Sequence, residues 1–202
     1  MVKIRDDLNI GPREKAIEAI KAGKTEEALK YLDEACEQFH YLHDRYSADI
    51  SRGFALLAEA YGEEWLKGYI GDEIIEAFTV RFESWKNMAP EEMVKRVCAI
   101  HRAHYSEFHV EEDDEKFTVA LTGCNAGGRL IRDGIAKKEN AVTKKAYPWA
   151  FNLVGLPYYC IHTSFTNQAF KNLGIKVEVK WGRQYDDQGN KVNEPCRYII
   201  YK

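Results

Sequence analysis

The sequence carries no excess of positive charge, no long apolar run and no dense cysteine framework, and each absence removes a class of function. Its formal net charge is −3, from 29 basic and 32 acidic side chains. No basic field is available to hold a polyanion, which argues against nucleic acid as the principal partner. No stretch approaches the ~18 to 20 apolar residues of a membrane span, so no membrane partner is expected. The opening M-V-K-I-R-D-D-L-N-I-G-P lacks the apolar core of a secretion signal, giving a cytoplasmic expectation. Five cysteines are an odd number without disulfide-framework spacing, and read as reduced thiols. No internal repeat or low-complexity segment is evident, and no DNA-binding or ATPase segment is present.

What is there describes a globular chain of 202 residues, 45% hydrophobic and 30% charged, with room for one well-buried core and an attached helical subdomain. Gly11-Pro12 opens a helix that Gly23 closes, and Thr25-Glu26-Glu27 starts the next with a threonine cap and early acids. From there to about Gly62, residues such as Ala28, Leu29, Leu32, Ala35, Phe39, Leu42, Tyr46, Ile50, Phe54 and Leu57 recur at helical spacing. The pattern predicts one long helix or two nearly collinear ones. A further helix is expected from Glu63 to about Trp85, bent near Gly68 and Gly71, and another from Ala89-Pro90 to about Ser106.

The period changes after Glu107. An acidic turn, E-E-D-D-E-K, precedes Phe117, Val119 and Leu121 in alternation, the pattern of a half-buried strand in a hairpin. A helix after Leu156-Pro157 is expected to end at Gly174. The alternating Ile175, Val177, Val179 and Trp181 then lead through D-D-Q-G-N to a final strand with Cys196, Tyr198 and Ile200 on one face. The expected fold is α+β, an N-terminal helical layer packed on a C-terminal antiparallel sheet. Residues 1–107 form the helical part and 108–202 the α+β part carrying the candidate site, together one compact domain.

Chemistry concentrates in the second half. Cys36 and Cys98 lie in helical windows and read as small buried hydrophobes. Cys124 ends a strand, directly before Asn125-Ala126-Gly127-Gly128 and Arg129. Backbone N–H groups there and the nearby Arg129 and Arg132 are placed to lower the thiol pKa, and Asn125 and Arg129 to hold a substrate carboxylate. His162 is the natural base for such a nucleophile, with Cys160 two residues before it. The plain alternative is a core cysteine beside a glycine turn. A metal reading competes: Cys160-Ile161-His162, with Cys124 and Cys196, offers a thiolate and imidazole set suited to zinc. In the helical half, Glu37, His40, His43 and Asp44 share one region, and His101 and His104 sit three apart on another helix. These read as surface or pocket-lining polar groups rather than a di-metal bundle, whose repeated Glu-x-x-His motif is missing. His43 and Asp44 are the preferred contributors to a pocket, as an acid/base relay. The aromatic residues Tyr147, Trp149, Phe151, Tyr158 and Tyr159 bunch between Cys124 and Cys160, as core or as cavity wall.

Three stretches carry a resemblance. Tyr159-Cys160 through Gly174, the strand I-K-V-E-V-K-W and the closing E-P-C-R-Y-I-I-Y-K resemble the C-terminal module of the L-2-amino-thiazoline-4-carboxylic acid hydrolases and of the bacteriochlorophyll 4-vinyl-reductase domain. The resemblance covers roughly the last fifty residues, and the Cys124 strand adds weaker support from the hydrolase side. It implies a small-molecule pocket and, in the vinyl-reductase-like domains, a zinc held by cysteines and an acid, here Cys160, Glu178 and Cys196. The additional cysteine those sites carry after the middle strand is missing from G-R-Q-Y-D-D-Q-G. Two functions follow as expectations. One is a hydrolase of a small carboxylate-bearing C–N or C–S substrate, through a cysteine/histidine or metal-assisted site, using either no cofactor or a zinc ion. The other is a non-catalytic small-molecule-binding module. A homo-oligomer is compatible with either.

Overall fold

The computed structural model describes residues 10–182 and 194–202. The chain is α+β, as its patterning predicts. It divides into two compact units, Met1–Arg45 and Tyr46–Lys202. The division falls inside the long second helix rather than at the helix-to-strand change near residue 107.

In the first unit, Pro12 at the first helical position starts α1 (Pro12–Lys21), and α2 (Thr25–Tyr61) begins with Glu26 and Glu27 in its first turn, where carboxylates complement the helix dipole. Ala16, Ala19 and Ala28 are buried. The helical spacing of α2 is realised as one continuous 37-residue helix, but Leu29, Leu32, Phe39 and Leu42 are exposed. Cys36 is exposed too, against the expectation of a buried hydrophobe.

The second unit contains the sheet. The turn α3 (Glu63–Trp65) leads into a π-helical segment at Leu66–Gly71, and α4 (Asp72–Phe82) continues from it. The α-helix is thus interrupted at the expected glycines, Gly68 and Gly71, and packing requires the second of them. A Cβ on Gly71 would lie 2.7 Å from Phe165 Cζ, so only glycine lets the helix meet that ring without displacing it. Next come α5 (Pro90–Ala103), β1 (Glu107–Glu112), β2 (Lys116–Gly123), α6 (Gly127–Arg132), α7 (Ile135–Lys138), α8 (Ile161–Leu173), β3 (Val177–Lys180) and β4 (Cys196–Tyr201). The strands form one antiparallel sheet in the order β1-β2-β4-β3. The expected hairpin of the last two strands is present as β3 beside β4; its D-D-Q-G-N turn lies outside the described residues.

β2 is buried continuously from Phe117 to Leu121, not half-buried as its alternation suggested, because it lies between β1 and β4. Helix α5 packs on β2 and β4, α8 on β3, and α4 on α8. The main core joins Phe82, Trp85, Val97 and Cys98 to Phe170 and to Phe117, Val119, Val177 and Ile200. The Phe82 and Phe170 ring centroids are 4.7 Å apart. No helix among the described residues is long and apolar enough to cross a membrane.

Ile200 is fully buried and stands between Phe117 and Val177 in the register. Ile200→Ala is expected to lower stability by about 2–5 kcal/mol. Val110→Ala, on the exposed β1, should change it by less than ~0.5 kcal/mol. Urea unfolding of both variants checks the ranking, and an equal small effect would contradict this core.

Candidate functional site

Antiparallel register gathers the chemistry at one end of the sheet. Glu107 pairs with Gly123 and Cys196 with Leu121, so β1 and β4 both start where β2 ends, one residue before Cys124. Lys180 pairs with Arg197, which brings the end of β3 and Trp181 to the same place. The α8 start, with Cys160 and His162, and the α5 end, with His101 and His104, complete the wall of a cavity of about 470 Å³. Its sides are largely apolar and aromatic, from Phe78, Phe82, Trp85, Phe170 and Trp181.

The loop before α8 holds Cys160 in place by two polar anchors. Thr143 is fully buried; its hydroxyl donates to Leu153 O at 2.9 Å and accepts from Leu156 N at 3.1 Å. Glu63 Oε1 accepts from Tyr158 Oη at 2.9 Å and from Lys144 N at 2.7 Å. Burial, reinforced by Glu63, pushes the Tyr158 hydroxyl far above its ordinary range and that of Tyr147 up to about 12. Both stay protonated, Tyr158 as a donor to Glu63. Glu63, one of two adjacent glutamates after Gly62, gives no sequence signal of this role.

Cys124, Cys160 and Cys196 all line the cavity, and each keeps partial solvent exposure. The Gly128 N–H points at Cys124 Sγ from 3.4 Å. Burial nevertheless raises the Cys124 pKa; the amides of residues 126–128 and the charge of Arg132 only oppose that rise. The depressed thiol pKa expected from the glycine turn is therefore corrected. Desolvation of a thiolate among aromatic walls outweighs a few backbone dipoles. Burial also raises Cys160 well above the ordinary value, with Cys124 and then Cys196 adding to it. Cys196 Sγ is 3.2 Å from both Gly182 N and Gly182 O.

His162 Nδ1 lies 3.2 Å from the carbonyl of Tyr159. A carbonyl only accepts, so Nδ1 carries the proton and Nε2 the lone pair. Burial lowers the His162 pKa, leaving the ring neutral at pH 7. His101 lines the cavity, the pocket-lining alternative of the sequence reading, and is buried against Tyr198, ring centroids 4.8 Å apart, where burial lowers its pKa to about 4.

The proposed carboxylate holders are engaged elsewhere. Asn125 donates from Nδ2 to Tyr105 O at 2.7 Å and from its amide to Ser106 Oγ at 3.3 Å. Arg129 is buried, donating to Ser47 Oγ at 2.7 Å and pairing with Asp133 at 3.4 Å. Arg81, passed over in the sequence, is the side chain with a fixed positive charge among the lining residues. His43 and Asp44 belong to the first unit, where His43 Nδ1 is 3.1 Å from Asp44 Oδ1 and His40 Nε2 is 3.7 Å from the same oxygen.

Among the described residues, no group of three or more His, Cys, Asp or Glu side chains stands in an arrangement that could hold a metal ion. The set Cys124, Cys160, His162 and Cys196 shares the cavity wall without that geometry. Glu178, the acid of the resemblance, accepts from Tyr201 Oη at 3.0 Å and lies 3.7 Å from Lys180 Nζ. Compared with known proteins, the chain matches no protein-family model, no curated protein and no solved structure.

The His101 shift has a sign that experiment can read. A histidine whose folded pKa lies below its unfolded ~6.5 contributes stability that is complete above that pH and is lost as pH falls toward its folded value of about 4. The difference amounts to about 3 kcal/mol. Denaturation between pH 7 and pH 4 should show the wild-type protein losing this much more stability than His101→Leu. Identical slopes would mean that His101 is not held neutral.

Proposed function

We propose that the protein is a small-molecule hydrolase in which Cys124 attacks a C–N or C–S carbon of a substrate held in the cavity. One observation carries the reading: Cys124, Cys160 and His162 line a single cavity of about 470 Å³, a size suited to one small molecule. Cys124 starts as a neutral thiol and His162 as a neutral base, so the proton moves with the attack rather than before it. The sulfur–carbon bond forms as His162 Nε2 takes the thiol proton. His162 then returns that proton to the departing nitrogen or sulfur as its bond to carbon breaks. Water hydrolyses the covalent intermediate and restores the thiol. Arg81 at the rim takes the substrate carboxylate in place of Arg129. The resemblance of the closing segments to the amino-thiazoline-carboxylate hydrolases supports this substrate class.

A second reading is favoured by the same burial. Thiols held protonated among aromatic walls also suit a module that binds an apolar ligand without turning it over.

Turnover of 2-aminothiazoline-4-carboxylate and related cyclic amidines separates the two. Cys124→Ala is expected to lower kcat by roughly 10³-fold or more and His162→Ala by roughly 10²–10⁴-fold. Arg81→Ala should act mainly on KM. Binding without product release would select the module, and unchanged turnover in Cys124→Ala would remove the nucleophile.

A further inference from the structure

The cavity brings together three sulfurs, more than an attack by one of them requires. Their contacts set an order. A Cβ on Gly127 would lie 2.1 Å from Cys160 Sγ, so that sulfur rests on the bare Cα of residue 127. The next residue, Gly128, directs its N–H at Cys124 Sγ. The two sulfurs therefore abut consecutive residues of one turn. Cys160 is also reached by the Trp181 indole, while Cys196 is held 3.2 Å from both backbone polar groups of Gly182. Cys124 is thus the neighbour whose sulfur shares a turn with that of Cys160. Cys36 and Cys98 do not line the cavity.

We propose that Cys124 and Cys160 form a reversible disulfide when a hydroperoxide enters the cavity, a redox modification site distinct from substrate turnover. The steps balance. One thiol passes its proton to His162 as its sulfur attacks the peroxide oxygen, the O–O bond breaks, the proton is returned to the leaving oxygen, and the products are a sulfenic acid and an alcohol, or water from hydrogen peroxide. The second thiol displaces hydroxide from the sulfenic sulfur. The S–S bond forms, and the thiol proton leaves with that hydroxide as water. Two sulfurs are oxidised and one peroxide is reduced. A dithiol reductant reverses the step by exchange. The bond would close the thiol wall and remove Cys124 as a nucleophile. The inference does not rest on the hydrolase reading, because its readout is mass rather than turnover.

The test treats the full-length protein with hydrogen peroxide, alkylates the remaining thiols and maps the peptides. The expected result is a loss of about 2 Da, two hydrogens per disulfide, with a Cys124–Cys160 cross-linked peptide that dithiothreitol removes. Cys196→Ser should leave the cross-link intact, and Cys160→Ser should abolish it. Gly127→Ala keeps all three thiols but displaces the Cys160 sulfur, and should cut the yield severalfold; near-ultraviolet circular dichroism confirms that each variant is folded. A Cys160–Cys196 link, cross-links between chains through Cys36, sulfinic acid without a disulfide, or no change in mass would each overturn the proposal.

Discussion

The candidate site depends on one close approach. At Gly127 the backbone meets the Cys160 sulfur so tightly that a single added carbon would lie 2.1 Å from it. This contact sets the start of α6 against the start of α8, and so places the residue after β2 beside the residues that open the last helix. Glu63 and Thr143 hold the other end of that arrangement by anchoring the loop that delivers Tyr158, Tyr159 and Cys160. With alanine at 127 the Cys160 sulfur would have to turn away from the start of α6, and the thiol wall of the cavity would change with it.

The same crowding determines the electrostatics. The cavity holds thiols, imidazoles and phenols, and burial pushes Cys124, Cys160, His101, His162, Tyr159 and Tyr198 toward their neutral forms. Cys124 and Cys160 rise, His162 and His101 fall, and Tyr198 rises far above its ordinary range. On the proposed reading, proton transfer at such a site runs in step with bond formation, because neither partner is charged beforehand, and Arg81 takes any substrate carboxylate.

Much of this fold was legible in the sequence. Alternation in 117–121 and 175–181, helical spacing up to residue 103 and the glycines at 68, 71 and 174 report local periodicity and chain bends, which are short-range properties. Cys124 was found because a thiol before two glycines at a strand end is chemically conspicuous. The rest depends on long-range contacts. Asp133, four residues on, is a local partner of Arg129, but nothing near residue 129 in the sequence announces Ser47, and nothing near residue 63 announces Tyr158. The sign of the Cys124 shift went the other way because the local pattern displays the glycine amides, while the desolvating walls come from α4, α5 and α8, far along the chain. Arg81 was invisible for the same reason: it is an ordinary helical arginine until α4 packs beside the cavity.

The central claim is that three cysteines line one cavity that small molecules can enter. Timed alkylation of the folded protein by iodoacetamide, followed by peptide mapping, tests it most directly. The account predicts that Cys124, Cys160 and Cys196 are modified without unfolding, Cys124 and Cys160 slowly at pH 7 and faster in alkaline solution, while Cys98, buried in the core, reacts only on denaturation. Modification of all four solely after unfolding would show that no such cavity is open to a reagent and would contradict the account.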